Sequence, residues 1–172
     1  MSEAKQNQRR VIQQAMEFAA KAHEGQTYGP NEPYTAHLAA VAKIVAGDEM
    51  AEIVAWLHDV VEDTPVTLRE VGRSFGPFIA ECVALLTDEQ GVNRKERKAK
   101  SHAKLAKAQP QHFTALKVKV ADRVANVEAC VAKGNAGLLF MYRREQESFR
   151  AAAYRPGLCD DLWNRIEAAI AV

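Results

Sequence analysis

Apolar residues recur along most of this chain at the i, i+3, i+4 and i+7 spacing of one helix face. The first such stretch runs from Val11 to Ala22, and the pattern stops at Gly25. A second stretch covers residues 34–45 and ends just before Gly47. Glycine commonly follows the last turn of a helix because it adopts the left-handed conformation required there. Both stretches are therefore predicted to be helices.

Capping and proline signals divide the next part of the chain. Asp48 has the side chain of an N-cap for a helix over about 51–62, which Thr64-Pro65 ends. Residues 67–70, Thr-Leu-Arg-Glu, match a capping box, in which the threonine and glutamate side chains satisfy the first backbone amides of a helix. Pro77 suits the first turn of the helix after that.

The second half of the sequence is also helical by pattern. Residues 93–109 form a polar, highly charged helix, whereas residues 116–120 alternate as a strand would. Over a longer window, however, the apolar positions keep helical steps until Gly134. Further helices are predicted over about 138–154 and 160–171. The fold class is therefore all-α, a single domain over residues 1–172 with seven to nine helices.

Composition narrows the class of protein without specifying its chemistry. The 172 residues are 48% hydrophobic and 26% charged, which excludes a disordered or fibrous chain. A net charge of +1 does not favour a nucleic-acid partner, and no apolar run approaches the ~18 residues of a membrane span. The three scattered cysteines indicate core thiols in a reducing compartment. We expect a cytoplasmic protein.

The segment around residues 56–64 carries the densest chemistry. His58 and Asp59 are followed four residues later by Glu62 and Asp63, so each pair is expected on one helix face. The flanking residues are apolar and predicted to be buried, where charged groups are costly unless they are compensated. Either a divalent cation compensates them, or the helix end emerges into solvent with its acids in salt bridges.

Two further residues bear on whether a divalent cation compensates these charges. His37 lies on an apolar helix, where it is either a core histidine or a ligand. Asp122 lies in another apolar stripe, where it is either a ligand or the partner of Lys119 or Arg123. A mixed set of imidazoles and carboxylates suits Mn²⁺, Fe²⁺ or Zn²⁺ better than Ca²⁺.

The order His37, then His58-Asp59, then Asp122 resembles the HD superfamily of metal-dependent phosphohydrolases. Residues 58–64, His-Asp-Val-Val-Glu-Asp-Thr, are similar to the HDxxEDT signature of alarmone hydrolases. These are the hydrolase domains of RelA/SpoT-type enzymes and their small stand-alone relatives, which remove the 3′-diphosphate of ppGpp. Further matches follow in order along the chain: Ala22–Gln26, Glu32–Tyr34, Phe75-Gly76, Val83–Asp88 and Lys119–Asn126.

The resemblance implies an HD-type alarmone hydrolase domain with one Mn²⁺, or Fe²⁺ or Zn²⁺ in its place, per chain. The implied metal ligands are His37, His58, Asp59 and Asp122. Glu62 and Asp63 match the family's catalytic acids. The implied reaction is attack on the phosphorus joined to the 3′ oxygen, with release of pyrophosphate from the nucleotide.

Substrate contacts are also implied by the resemblance. Arg94 matches a phosphate-binding position on the basic helix, although a solvated face is the default interpretation of such a charge run. Asn126 matches a substrate-contacting asparagine, and Tyr142 is either near the nucleotide or a core aromatic. Where the family commonly carries a basic pair beside the guanine, this chain has Tyr28 and Gly29. Tyrosine can stack on a purine but lacks the charged fork of arginine, so an adenine alarmone such as ppApp is a candidate substrate.

Two alternatives remain open from sequence. One is an HD-type enzyme that acts on another phosphorylated nucleotide, and the other is a non-catalytic helical module that binds nucleotide or RNA through residues 94–107. The sequence leaves homo-oligomerisation open. His102, in a polar stretch of the basic helix, is expected to be exposed.

Overall fold

The computed structural model describes the backbone of residues 3–171 and the side chains of residues 6–171. The chain divides into two compact units, one ending at Thr87 and the other beginning at Asp88. Helices dominate both units, so the prediction of an all-α fold is confirmed. That residues 1–172 form one HD-type domain stays a prediction.

The first unit contains six helices and two very short strands among its described residues. Its elements are α1 (Glu3–Ala22), β1 (Thr27–Tyr28), β2 (Glu32–Pro33), α2 (Tyr34–Ile44), α3 (Glu49–Leu57), α4 (Val60–Asp63), α5 (Leu68–Phe75) and α6 (Pro77–Leu86). The N-cap and the capping box predicted from sequence are both present. Asp48 accepts a hydrogen bond from the Ala51 amide at 3.2 Å, and Thr67 and Glu70 complete a capping box.

The second unit is built from four helices and one turn of 3₁₀ helix. Its elements are α7 (Arg94–Ala106), the 3₁₀ turn (Pro110–His112), α8 (Phe113–Ala132), α9 (Ala136–Ala153) and α10 (Asp160–Ala171). Counting α3 and the single turn α4 as one interrupted helix, residues 3–171 form nine helices, within the predicted range.

Helix α3 lies at the centre of the first unit, where α1, α2 and α6 pack against it. Its residues Val54 and Leu57 are fully buried, as are Leu38 and Val41 on α2. The metal-binding candidate His37 therefore stands on α2, and His58 directly follows α3, so both have buried apolar neighbours on two packed helices. Burial of each such side chain contributes roughly 1.5–3 kcal/mol.

Helix α8 has the same position in the second unit, between α9 and α10. Leu116, Val118 and Val120 are all buried, although they alternate along the chain. A helix covered on more than one side is apolar around much of its circumference, and this explains the strand-like pattern. Phe149 of α9 and Trp163 of α10 complete the core, with ring centroids 5.3 Å apart.

Two details differ from the sequence expectation. Residues 27–33 pair as a hairpin, Thr27 with Pro33 and Tyr28 with Glu32, where only a loop is predicted. Strands of two residues are too short to produce an alternation that a sequence can show. The helix predicted over 51–62 is interrupted at His58 and Asp59, which join α3 to α4.

Candidate metal centre and its surroundings

His37, His58 and Asp59 form a compact group of potential metal ligands. Each offers one nitrogen or oxygen atom within 4.8 Å of the other two. Among the described residues, these are the histidine, cysteine and acidic side chains that come together so closely. The two histidines are buried and Asp59 is partly buried. Asp59 Oδ2 lies 3.1 Å from His58 Nε2 and 3.8 Å from His37 Nε2.

The interruption between α3 and α4 makes this geometry accessible. Adjacent residues of a regular helix do not face each other. Here Asp59 has φ −103° and ψ −4°, outside regular helical values, and its side chain turns towards that of His58. The Nδ1 atom of His58 lies 2.7 Å from the Ala55 carbonyl oxygen, the group that in an unbroken helix bonds to the Asp59 amide. At the break this carbonyl oxygen is contacted by the imidazole, and the two ligand atoms come together.

The same contact determines which His58 nitrogen can bind a metal. A carbonyl oxygen only accepts hydrogen bonds, so the neutral imidazole carries its hydrogen on Nδ1 and presents the Nε2 lone pair to Asp59. Such a backbone contact is the usual orienting partner of a metal-bound histidine. Two imidazole nitrogens directed at one carboxylate oxygen form a donor set that fits a divalent transition metal. The geometry does not by itself select Mn²⁺.

Tyr34 is a site residue that sequence reasoning did not single out as functional. Its hydroxyl lies 2.8 Å from Asp59 Oδ2 and 2.5 Å from Asp63 Oδ2, and it donates to these carboxylates. Burial raises the pKa of Tyr34, and the negative charges of Asp59 and Asp63 raise it further. The phenol therefore stays protonated and remains a donor at neutral pH. Its signal in the sequence is the position at the start of α2, one turn before His37.

A second layer of contacts holds Tyr34 in place. The ring of His23 stacks on the Tyr34 ring with centroids 4.4 Å apart and planes 2° apart. His23 Nδ1 lies 2.8 Å from Gln26 Oε1, and Gln26 Nε2 donates to the Asp63 carbonyl at 2.8 Å. The predicted motif residues 22–26 thus support Tyr34 and the end of α4. His23 Nε2 is buried with no hydrogen-bond partner among the described groups.

The predicted catalytic acids occupy the single turn α4. Glu62 and Asp63 are both exposed, unlike the buried His58 one turn earlier. The expected sharing of a helix face holds for Asp59 and Asp63, since the Tyr34 hydroxyl contacts both. The roles of Glu62 and Asp63 in catalysis remain predictions.

Tyr28, the predicted base-stacking residue, lies on strand β1 beside the ligand group. Its ring stacks on His37 with centroids 4.6 Å apart and planes 10° apart. It also meets Tyr34 edge to face, at 6.2 Å. The hairpin that the sequence does not reveal thus places an aromatic ring directly over a candidate metal ligand.

The remaining predicted residues belong to the second unit. Asp122 and Asn126 are one turn apart on α8, and Asn126 Nδ2 donates to Asp122 Oδ1 at 2.6 Å. Lys119 Nζ is 3.8 Å from Asp122 Oδ2, so the ion pair considered from sequence is present but long. The assignment of Asp122 as a metal ligand stays a prediction.

Arg94 and Tyr142 enter a charged network around Glu145. Arg94 pairs with Glu145 through two hydrogen bonds of 2.8 and 3.1 Å. The buried Arg123 places Nη2 3.5 Å from the same carboxylate, and its guanidinium lies 4.6 Å from the Tyr142 ring centroid. Burial lowers the pKa of Arg123, although Glu145 opposes that effect. The predicted substrate contacts of Arg94 and Tyr142 remain predictions.

Over residues 3–171 no helix combines the length and the apolar character needed to cross a bilayer.

The sequence matches the HD domain family over residues 15–148, and the chain therefore belongs to that family. It is 37% identical over 128 residues to the bifunctional (p)ppGpp synthase/hydrolase SpoT of Escherichia coli K12, covering 71% of this chain and 18% of that protein. It is 33% identical over 154 residues to a guanosine-3′,5′-bis(diphosphate) 3′-pyrophosphohydrolase of Vibrio cholerae, covering 86% of this chain and 22% of that protein. The chain thus spans about a fifth of these curated relatives.

A solved structure of a metazoan ortholog of SpoT, described as hydrolysing ppGpp, has a similar fold. The TM-score is 0.76, the sequence identity is 22%, and the match covers 94% of each chain. The predicted resemblance to RelA/SpoT-type HD domains is confirmed at the level of family and fold.

Proposed function

We propose that this chain is a metal-dependent phosphohydrolase that removes the 3′-diphosphate of a purine alarmone, (p)ppGpp or (p)ppApp, and releases pyrophosphate. The observation that carries the proposal is the convergence of His37, His58 and Asp59 within 4.8 Å in a chain of the HD family. The similarity to proteins named for (p)ppGpp hydrolysis supports the substrate class.

His37, His58 and Asp59 would hold the ion, which we propose to be Mn²⁺. Asp122 is proposed as the fourth ligand on the strength of its motif. When bound, the ion supplies Lewis-acid polarisation of a phosphoryl oxygen. The Ala55 carbonyl keeps the His58 ring in the tautomer suited to this task.

We propose that Glu62 and Asp63 accept and donate the protons that are transferred in the reaction. One carboxylate accepts a proton from the attacking water as its oxygen bonds to the phosphorus attached to O3′. The bond between that phosphorus and O3′ breaks, O3′ gains a proton and pyrophosphate leaves. Tyr34 holds Asp63 in place through its hydroxyl hydrogen bond.

Arg94, Asn126, Tyr142 and Tyr28 are proposed to contact the substrate. Arg94 is paired with Glu145, so a phosphate bound by Arg94 would share or displace that carboxylate. Tyr28 offers an aromatic ring and no charged fork to the base. The uncharged ring of Tyr28 does not favour guanine over adenine, so both alarmones are proposed as substrates.

The test is hydrolysis of ppGpp and of ppApp, assayed separately with the Mn²⁺-loaded 172-residue chain and analysis of the released phosphates. We expect stoichiometric pyrophosphate and complete loss of activity on addition of a chelator. Release of inorganic phosphate instead would support the alternative of another nucleotide phosphohydrolase. Two intact nucleotides would contradict the proposed substrate class.

Asp59→Asn provides the matched test of the ligand group. It removes the charge that faces both imidazoles, so we expect bound metal, measured by elemental analysis, and kcat/KM to fall by more than about 100-fold. Asp161→Asn, an exposed change in the first turn of α10, should leave both unchanged. Equal metal content in the two variants would contradict the assignment of Asp59 as a ligand.

A further inference from the structure

The second unit contains a cavity of about 650 Å³ between helices α7 and α9. Its α7 wall includes Arg94, Lys95, Lys98 and His102, and its α9 wall includes Phe140, Met141, Arg144 and Glu145. None of the proposed metal ligands or catalytic acids lines it, and of the proposed substrate contacts only Arg94 does. We propose that this cavity is a second nucleotide-binding site, which takes a nucleoside phosphate independently of the metal centre.

The charge of the cavity wall favours an anion. Four cationic side chains line it against one carboxylate. Two of the four are already compensated, since Arg94 pairs with Glu145 and Lys98 Nζ lies 2.6 Å from Asp88 Oδ2. Lys95 and Arg144 have no carboxylate within ion-pair distance among the described residues. A phosphate group between α7 and α9 would satisfy both cations.

The rest of the wall is apolar and aromatic, which an inorganic ion alone would leave uncovered. Phe140 is 59% exposed, and Met141 and Ala99 continue the same surface. A flat base can cover these side chains, and methionine adapts to such contacts. The combination of an aromatic wall with cations that have no carboxylate partner therefore matches an aromatic ring that carries a phosphate.

His102 supplies a buried polar group at the cavity. Contrary to the expectation from its polar surroundings, its side chain is only 9% exposed, because α7 packs against α9. Its ring contacts Phe149 but makes no hydrogen bond with any described group. Burial lowers the pKa of His102, and the charges of Arg123 and Lys98 lower it further. A neutral imidazole offers one donor and one acceptor, which a base or a ribose hydroxyl can use.

The cavity also touches the network around the proposed substrate residues. Glu145 contacts Arg94 on its rim and the buried Arg123, which follows Asp122 in the chain. A phosphate that attracts Arg94 would loosen its pair with Glu145. Occupancy of the cavity would thus alter the contacts of Arg94, a proposed substrate-binding residue. Nucleotide binding in the cavity nevertheless does not depend on hydrolysis.

Methyl NMR of the ¹³C-methionine-labelled 172-residue chain tests this proposal directly. Of the four methionines, only Met141 lies in the second unit, and Met141→Leu assigns its signal. Titrations would use ADP and GDP, with adenosine and inorganic pyrophosphate as the two halves of the ligand, all in the presence of a chelator. We expect ADP or GDP to shift the Met141 methyl signal at concentrations at least about tenfold below those needed for adenosine or pyrophosphate.

Charge reversal separates binding in the cavity from general attraction. Lys95→Glu and Arg144→Glu should each weaken the Met141 response by about tenfold or more, since each removes one charged phosphate contact. Lys107→Glu makes the same charge change at the end of α7, outside the cavity, and should leave the response unchanged.

Three outcomes would overturn the proposal. One is a Met141 signal that no nucleotide moves up to millimolar concentration. The second is an equal loss of response in Lys107→Glu, which would indicate nonspecific attraction. The third is loss of the response in Asp59→Asn or a requirement for metal, which would make the cavity a part of the catalytic site. Retained nucleotide binding in a chain that hydrolyses no alarmone would leave this proposal standing and contradict the proposed function alone.

Discussion

Tyr34 connects the candidate metal ligands with the proposed catalytic acids. Its single hydroxyl hydrogen is shared between Asp59 and Asp63, and its ring is sandwiched into an aromatic group with His23 on one side. The carboxylates of Asp59 and Asp63 both lie within hydrogen-bond distance of this hydroxyl. Its hydrogen carries partial positive charge and therefore reduces the repulsion between them. The neighbours of Tyr34 thus place its hydroxyl between a candidate metal ligand and a proposed catalytic acid.

Tyr34→Phe should preserve the ring stacking and remove only the hydrogen bonds. We expect kcat to fall by roughly 10–100-fold and metal affinity to weaken, because partners of ligands commonly contribute at that level. Steady-state kinetics at saturating metal, together with a metal titration, measures both effects.

Tyr154→Phe is the control, since that tyrosine packs on Trp163 in the second unit. If Tyr34→Phe changed only thermal stability and left kcat and metal affinity intact, a positioning role for the hydroxyl would be excluded.

At the scale of elements, the break between α3 and α4 is the decisive feature. A continuous helix would direct His58 and Asp59 to different sides, whereas the break places their ligand atoms 3.1 Å apart. The apolar residues on both sides, Leu57 and Val60, are fully buried and hold the two segments in place. Packing of α3 and α4 thus supports a local conformation that helix propensity alone would not favour.

Helix α5 has one glycine in its interior and another at its end, and the two allow a matched test of backbone conformation. Gly72 lies within the helix, and a methyl group there would meet Ala80 Cβ at an ordinary 3.5 Å. Gly76 ends the helix at φ +90°, with nothing within 4 Å of an added Cβ. Gly72→Ala should therefore raise the free energy of unfolding by about 0.5–1 kcal/mol. Gly76→Ala should lower it by about 1–3 kcal/mol through backbone strain, because φ +90° with ψ 163° is a conformation essentially restricted to glycine.

Urea unfolding of the two variants beside the parent chain checks both signs. Changes of the same sign would show that space around the glycines, and not backbone conformation, governs these positions.

At the scale of the whole molecule, the charged groups of the second unit should make folding sensitive to acid. Burial alone would raise the pKa of Glu145, but hydrogen bonds from Arg94 and the charges of Arg94 and Arg123 outweigh it and hold the pKa below its usual range. The folded carboxyl then binds protons less readily than the unfolded one. Its contribution to stability is present above the unfolded pKa of about 4.3 and is lost as pH falls through the lower folded value.

Glu145→Gln should remove part of this acid-dependent loss and also destabilise the chain at neutral pH, because Arg123 is buried beside it. Urea unfolding between pH 3 and 7, in the presence of a chelator, measures both effects. Glu147→Gln, an exposed change on the same helix, should alter neither. A pH profile identical to that of the parent would show that Glu145 does not contribute to acid unfolding.

Much of this architecture is readable from local signals. The caps at Asp48 and Thr67, the glycine stops and the apolar spacing predict the helices closely, since these depend on residues a few positions apart. Residues 58–64 resemble the HDxxEDT signature of the family, and their donor types are chemically unusual on an apolar helix. The pairing of Asp59 and Asp63 on one side of the chain follows from the same short-range geometry.

Other features arise only when separate segments pack together. The stacking of Tyr28 on His37, the two bonds of Tyr34 and the burial of His102 each join residues from different elements. No short window of sequence contains both partners of such contacts. The linear chain therefore specifies which ligands and helices are available, while their distances, protonation states and burial depend on long-range packing in three dimensions.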